Sequence, residues 1–155
     1  LAIAALAAIA AFVSVAAQAG ECPADKVVAD GKGQAMSAAE PAKAVTDKVI
    51  TSTELAKEPV AIQGRLFRAR LLEIGAGGVV PWHAHGDRPA LILISSGEIT
   101  EYASTCAVPI QHKAGDITAE KNPTSHWWKN HGTTPVVIYS FDLFRVEDKK
   151  NEKMM

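Results

Sequence analysis

The feature that most constrains this chain is the way residues 60 to 145 are cut into short stretches. Gln63 to Ile74 alternates loosely, with Leu66, Arg68, Arg70, Leu72 and Ile74 on one face. Gly75-Ala76-Gly77-Gly78 reads as a turn, Val79 to His85 as the next strand, and Gly86-Asp87-Arg88-Pro89 as a loop. Ala90 to Ser95 is apolar on both faces, which marks a strand buried on both sides. Gly97-Glu98 turns the chain into Ile99 to Ala103. Cys106 to Ala114 reads as loop and short strand, and Gly115-Asp116 turns again. Thr124 to Lys129 is a further strand, Asn130 to Pro135 a long turn, and Val136 to Phe144 the last strong strand. Short strands closed by Gly, Pro, Asn or Asp indicate an all-β sandwich or barrel.

The rest of the chain is different. Leu1 to Ala17 is apolar except for Ser14, and the first charge is Glu21. Ala17-Gln18-Ala19 fits the small-x-small site where a secretory signal peptide is cut, so residues 1 to 19 read as a signal. The competing reading, a membrane span, needs about 20 apolar residues, and after cleavage no stable span is expected. The protein is then periplasmic or secreted. Residues 20 to 59 read as a loose arm. Within it, Thr51-Ser52-Thr53-Glu54 resembles a capping box before one short helical turn, Leu55-Ala56-Lys57-Glu58, which Pro59 ends. Residues 146 to 155 form a charged tail. With 155 residues and 48% hydrophobic content, the chain suits a single domain with its own core. A balance of 16 basic against 17 acidic residues offers no basic surface for nucleic acid.

Export bears on the two cysteines, Cys22 and Cys106. An oxidising compartment permits a Cys22–Cys106 disulfide tying the arm to a barrel loop; two free thiols are the alternative.

Three histidines carry the chemistry. His83 and His85 lie two apart on one strand, so their side chains share a face. His126 arrives on a later strand. Neutral imidazole is the commonest side-chain ligand for a transition metal. Three of them would hold one ion and leave positions open for water and substrate. Three core histidines without metal are the alternative, but each would need hydrogen-bond partners. His112 and His131 fall in expected loops and read as surface residues. Asp87 could add an oxygen ligand or merely shape its loop.

The arrangement resembles the cupin family of small jelly-roll barrels. That family's first motif is Gly, five residues, His-x-His, three or four residues, Glu, six residues, Gly. Gly77, His83, His85 and Gly97 stand at the matching places, and Ala90 stands at the Glu position. The second motif is Gly, five residues, Pro-x-Gly, two residues, His, three residues, Asn. Gly115, His126 and Asn130 match it, with Lys121 and Pro123 at the Pro and Gly positions. The resemblance spans about residues 60 to 145. It implies an all-β jelly-roll barrel, a double-stranded β-helix, with His83, His85 and His126 turned inward onto one divalent metal: Fe, Zn, Mn, Ni or Cu. Without the acidic ligand the ion keeps its full charge and favours anionic ligands.

Strand parity extends the pocket. If His126 points inward, so do Trp128 and Asn130, while Trp127 points out; Trp128 as plain core is the alternative. Arg68 and Arg70 share a face and could hold a substrate carboxylate if that face is inward, or be solvated if it is outward. Proteins resembling this one include oxygenases, isomerases, decarboxylases and pure binders. The expectation is a metal-dependent, oxygenase-type enzyme acting on a small organic molecule. The alternative is a non-catalytic module binding a small ligand or the metal. A homodimer built on the apolar outer face, including Leu91 and Leu93, is compatible with both.

Overall fold

A computed structural model describes residues 20–147. The expected signal peptide, residues 1 to 19, and most of the expected charged tail lie outside the described residues. Eight strands run in chain order: β1 (Lys43–Glu54), β2 (Arg65–Ala84), β3 (Ala90–Ser96), β4 (Glu98–Ala103), β5 (Ile110–Lys113), β6 (Ile117–Glu120), β7 (Ser125–Lys129) and β8 (Val136–Arg145). They form one curled sheet in the order β5-β4-β7-β2-β8-β3-β6, with β1 added along β2. Every pairing is antiparallel. This is a jelly roll, as expected for short strands whose alternate residues are apolar.

The spine is β2, whose two halves have different partners. Arg65 to Ile74 pairs with β1 on one edge and β8 on the other, and Val79 to Ala84 pairs with β7. The expected turn at 75–78 is therefore a bend inside one 20-residue strand. Glycine serves here because the backbone closes on itself. Gly77 has φ +64°, and a Cβ on Gly78 would lie 2.7 Å from both the Gly75 carbonyl and the Ile74 side chain. The glycines bend the strand and let it change neighbours without ending it.

The loose arm of the sequence reading also needs correction. Lys43 to Glu54 is a strand, so Thr51 to Glu54 pair with β2 instead of capping a helix. Leu55–Lys57 forms a single 3-10 turn, and two more, Ala24–Lys26 and Met36–Ala38, lie earlier in the arm. The preceding residues run along β4 and its loop. Val28 N–H donates to Thr105 O (2.9 Å), Gly33 N–H to Ser104 O (2.8 Å) and Gln34 N–H to Ala103 O (2.9 Å). A Cys22–Cys106 disulfide fastens this layer, with Cys106 buried beside Ala103 and Ile110.

The main core lies inside the curl: Leu72, Ile74, Val80, Ile92, Ile94, Ile99, Trp128, Val136 and Ile138 pack together. Leu66, Arg68, Arg70, Leu72 and Ile74 of β2 all face inward, so the arginine face is not solvated. Trp127, expected to point outward to solvent, is buried because Tyr102 of β4 stacks on it with ring centroids 4.3 Å apart. Leu91 stays exposed on the opposite, outer face, near Ile117. No helix among the described residues is long and apolar enough to cross a membrane.

Candidate metal centre

The pairing of β2 with β7 slips between Val80 and His83, which sets His83 directly opposite His126. His85 follows on the same face. The three imidazoles cluster with centroids 4.6 Å (His83–His126), 4.9 Å (His85–His126) and 5.1 Å (His83–His85) apart. Each ring is oriented through its Nδ1. His83 Nδ1–H donates to Pro81 O (2.8 Å) and His85 Nδ1–H to Arg88 O (3.1 Å). His126 Nδ1–H donates to Glu101 Oε1 (2.5 Å). Those bonds leave all three Nε2 lone pairs turned toward one another, and the Nε2 atoms of His83 and His126 lie 3.2 Å apart.

A fourth group joins them. Glu120 of β6 places one carboxylate oxygen 2.9 Å from His85 Nε2 and the other 3.4 Å from His126 Nε2. One ligand atom from each of His83, His85, Glu120 and His126 lies within 4.8 Å of the others. Yet His85 Nε2, buried and this close to an oxygen, makes no hydrogen bond. With its proton on Nδ1, His85 meets that oxygen through its Nε2 lone pair, with no hydrogen between the two atoms. A buried, unsatisfied nitrogen among three lone pairs and a carboxylate fits a cation better than it fits a metal-free core.

The neutral, three-imidazole set of the sequence reading was therefore incomplete. Ala90 does stand where the motif has its acid, but Glu120 is its cross-strand partner on β6. The carboxylate of the cluster thus stands one strand over from position 90. No linear motif could show this, because it depends on which strand pairs with β3.

Charge within the cluster follows from burial and neighbours. Burial, then the His126 charge, push His83 down to about 3, so it stays neutral across the physiological range. For His126, burial works against the proton, but the charges of Glu120 and then Glu101 outweigh it and raise its pKa. Burial alone would raise Glu101; the His126 charge and hydrogen bonds from His112 and His126 bring it down to about 2. Glu120 is likewise lowered, burial being overcome by His126 and His85.

His112, expected on the surface, is fully buried. Its Nε2–H donates to Glu101 Oε2 (2.8 Å), and its ring stacks on Trp128 with centroids 4.4 Å apart. A buried carboxylate that accepts from two histidines makes that burial tolerable. His131 is exposed, beside Tyr102. Asp87 lies outside the ligand cluster, exposed and paired with Arg65 and Arg145.

The other expected pocket residues separate. Trp128 and Arg70 line a pocket of about 430 Å³, mouth included, together with His83, His85, Arg88 and Glu120. Arg68 lies behind it. Arg68 donates to both oxygens of Asp142 (2.9 and 2.7 Å) and stacks over Phe144, 3.6 Å from the ring centre. Asn130 is used structurally. Its Nδ2 donates to the carbonyls of Ile74, Gly75 and Thr134 and its Oδ1 accepts from Gly132 N–H, pinning the β7–β8 turn to the bend of β2. Arg88 and Asp142 were not singled out in sequence. Arg88 sits in a Gly/Pro loop, and Asp142 in a strand whose neighbours are apolar.

Fold and site together define a cupin-fold protein with a His/Glu cluster able to hold a metal. Solved structures agree on the fold. The chain is similar to the Cnp3 cupin domain of Schizosaccharomyces pombe (TM-score 0.53, 18% identity, 77% of this chain and 79% of that one). It is also similar to a double-stranded β-helix domain protein of Klebsiella pneumoniae (TM-score 0.52, 19% identity, 67% and 81%). A third likeness is KdgF from a Halomonas species (TM-score 0.52, 14% identity, 70% and 88%). No protein-family model matches the chain, and comparison with curated proteins gives no match.

Proposed function

We propose that the protein is an exported, metal-dependent cupin whose His83, His85, Glu120 and His126 hold one divalent transition metal and whose pocket takes a small organic molecule for oxygenase-type chemistry. One observation carries the metal: His85 Nε2 is buried without a hydrogen bond although a Glu120 oxygen is 2.9 Å away. A set of three nitrogens and one carboxylate oxygen suits Fe or Mn, and accepts Ni, Zn or Cu. When bound, the ion supplies Lewis acidity and, if it is iron, oxygen activation.

The chain's own residues do the rest. Pro81 and Arg88 carbonyls fix the tautomers of His83 and His85, and Glu101 fixes that of His126. Trp128, Leu72, Val80 and Ile92 line the pocket with apolar surface that limits water. The apolar residues 1 to 19 and the Cys22–Cys106 bridge support export to an oxidising compartment. The test is oxygen uptake by iron-loaded protein on small organic substrates. Consumption that disappears with His83→Ala supports an enzyme; tight ligand binding without turnover turns the reading to a binding module.

A further inference from the structure

We propose that the pocket selects a short-chain carboxylate and that Arg88 is the residue that recognises the anion. The inference rests on the metal-site reading above. Arg88 is tied to the metal cluster by its backbone: its N–H donates to His85 O (2.6 Å) and its carbonyl accepts from His85 Nδ1 (3.1 Å). This tight turn directs its side chain inward, where it is buried and lines the pocket with Arg70.

The arginines at and behind the pocket converge on one carboxylate. Asp142 Oδ2 accepts from Arg68 (2.7 Å), Arg70 (3.2 Å) and Arg88 (3.2 Å) at once. Arg70 has a second partner in Asp47. Among these groups, three guanidiniums are matched by Asp142, Asp47 and Glu120, and Glu120 is the carboxylate that would bind the metal. A divalent ion would then add two positive charges, against which the cluster sets Glu101, bonded to His126. Uncompensated charge in a buried site is costly, and an anion entering the pocket would relieve it. Burial, followed by the Arg70 charge, already lowers the proton affinity of Arg88, which is the same crowding seen from the arginine.

The class of anion follows from shape and walls. Apart from Ser140, the remaining lining of Leu72, Val80, Ile92, Ile138 and Trp128 is apolar. A guanidinium fork matches a planar carboxylate, and a short hydrocarbon body matches those walls. Sequence analysis placed a carboxylate at Arg68 or Arg70; Arg88 fits the role better, because Arg68 is not among the lining residues and Arg70, though it lines the pocket, is bonded to both Asp47 and Asp142.

The test uses the full protein loaded with Zn²⁺, with zinc content measured first and ligand-detected NMR titration of butyrate and butyramide second. Wild type should bind butyrate about tenfold or more tighter than its neutral isostere. Arg88→Gln should bring the two ligands to similar affinity at unchanged zinc content, and Arg88→Lys should keep part of the preference. Equal binding of both ligands by wild type overturns the proposal, as does an undiminished preference in Arg88→Gln. Should Arg88→Gln fail to fold, the wild-type comparison and Arg88→Lys still decide. Failure of wild type to take up zinc would overturn the metal reading itself, and that is visible before any carboxylate is added.

Discussion

At the scale of single residues, the relation between positions 90 and 120 is the most informative. They are cross-strand partners, both inward, and position 142 pairs with Ala90 on its other side. The row Arg68–Asp142–Ala90–Glu120 therefore runs across four strands. Ala90→Glu alone would set a third carboxylate between two others, so it should not tighten metal binding. Glu120→Ala should weaken binding sharply, and Glu120→Ala with Ala90→Glu should restore a large part of it. Metal affinities by competition with a coloured chelator would check this; a double variant no better than Glu120→Ala would count against the shifted ligand. Glu101 acts one step further out. Its two oxygens accept from His126 and His112. Glu101→Gln would turn an amide N–H against one of those donors. Metal affinity should fall by roughly 10- to 100-fold while the fold persists; unchanged affinity would remove Glu101 from the account.

At the scale of elements, much was legible and the exceptions have physical causes. The inward faces of β2, β3 and β7 followed from alternation, since His83, His85, His126 and Trp128 fall on the parity their spacing dictates. What parity cannot give is the partner of a strand, so Glu120 was invisible as a member of the cluster although its own strand was short and ordinary. The bend in β2 was read as a turn because four residues rich in glycine look the same in sequence whether the chain reverses or kinks. β1 was missed for another reason. Its residues are mostly exposed, so hydrophobic period gave no signal, and only its β-branched run Val49-Ile50-Thr51 hinted at a strand. The arm that precedes it is held by the Cys22–Cys106 bridge across 84 residues. Cys22→Ser should destabilise the protein by up to about 4 kcal/mol in the chain-entropy view. Chemical denaturation of the variant and of the reduced wild type should agree; no loss in either would mean that backbone pairing alone holds the arm.

At the scale of the whole molecule, the buried charges make stability depend on pH in a definite direction. His83 and Glu101 have folded pKa values below their ordinary 6.5 and 4.5, at about 3 and about 2. Each contributes stability that is present above the ordinary value and lost as pH falls through the folded one. His126 is raised above 6.5, so its contribution is full below that pH and lost as pH rises through the folded value. The metal-free protein should thus be most stable near pH 6.5, declining toward acid and toward alkali. Adding metal should abolish the alkaline decline, since the ion replaces the His126 proton. Melting temperatures from pH 3 to 9 with and without metal would show it; a metal-free profile that keeps rising to pH 9 would not fit.

The central claim is that His83 of β2, His85 just beyond it, Glu120 of β6 and His126 of β7 converge on one ion. Elemental analysis of gently purified wild type, beside His83→Ala and Glu120→Ala, tests it most directly. The account predicts close to one equivalent of a divalent transition metal per chain in wild type and a small fraction of that in both variants, all three retaining their β circular dichroism. Metal-free wild type, or variants as fully loaded as the parent, would contradict it.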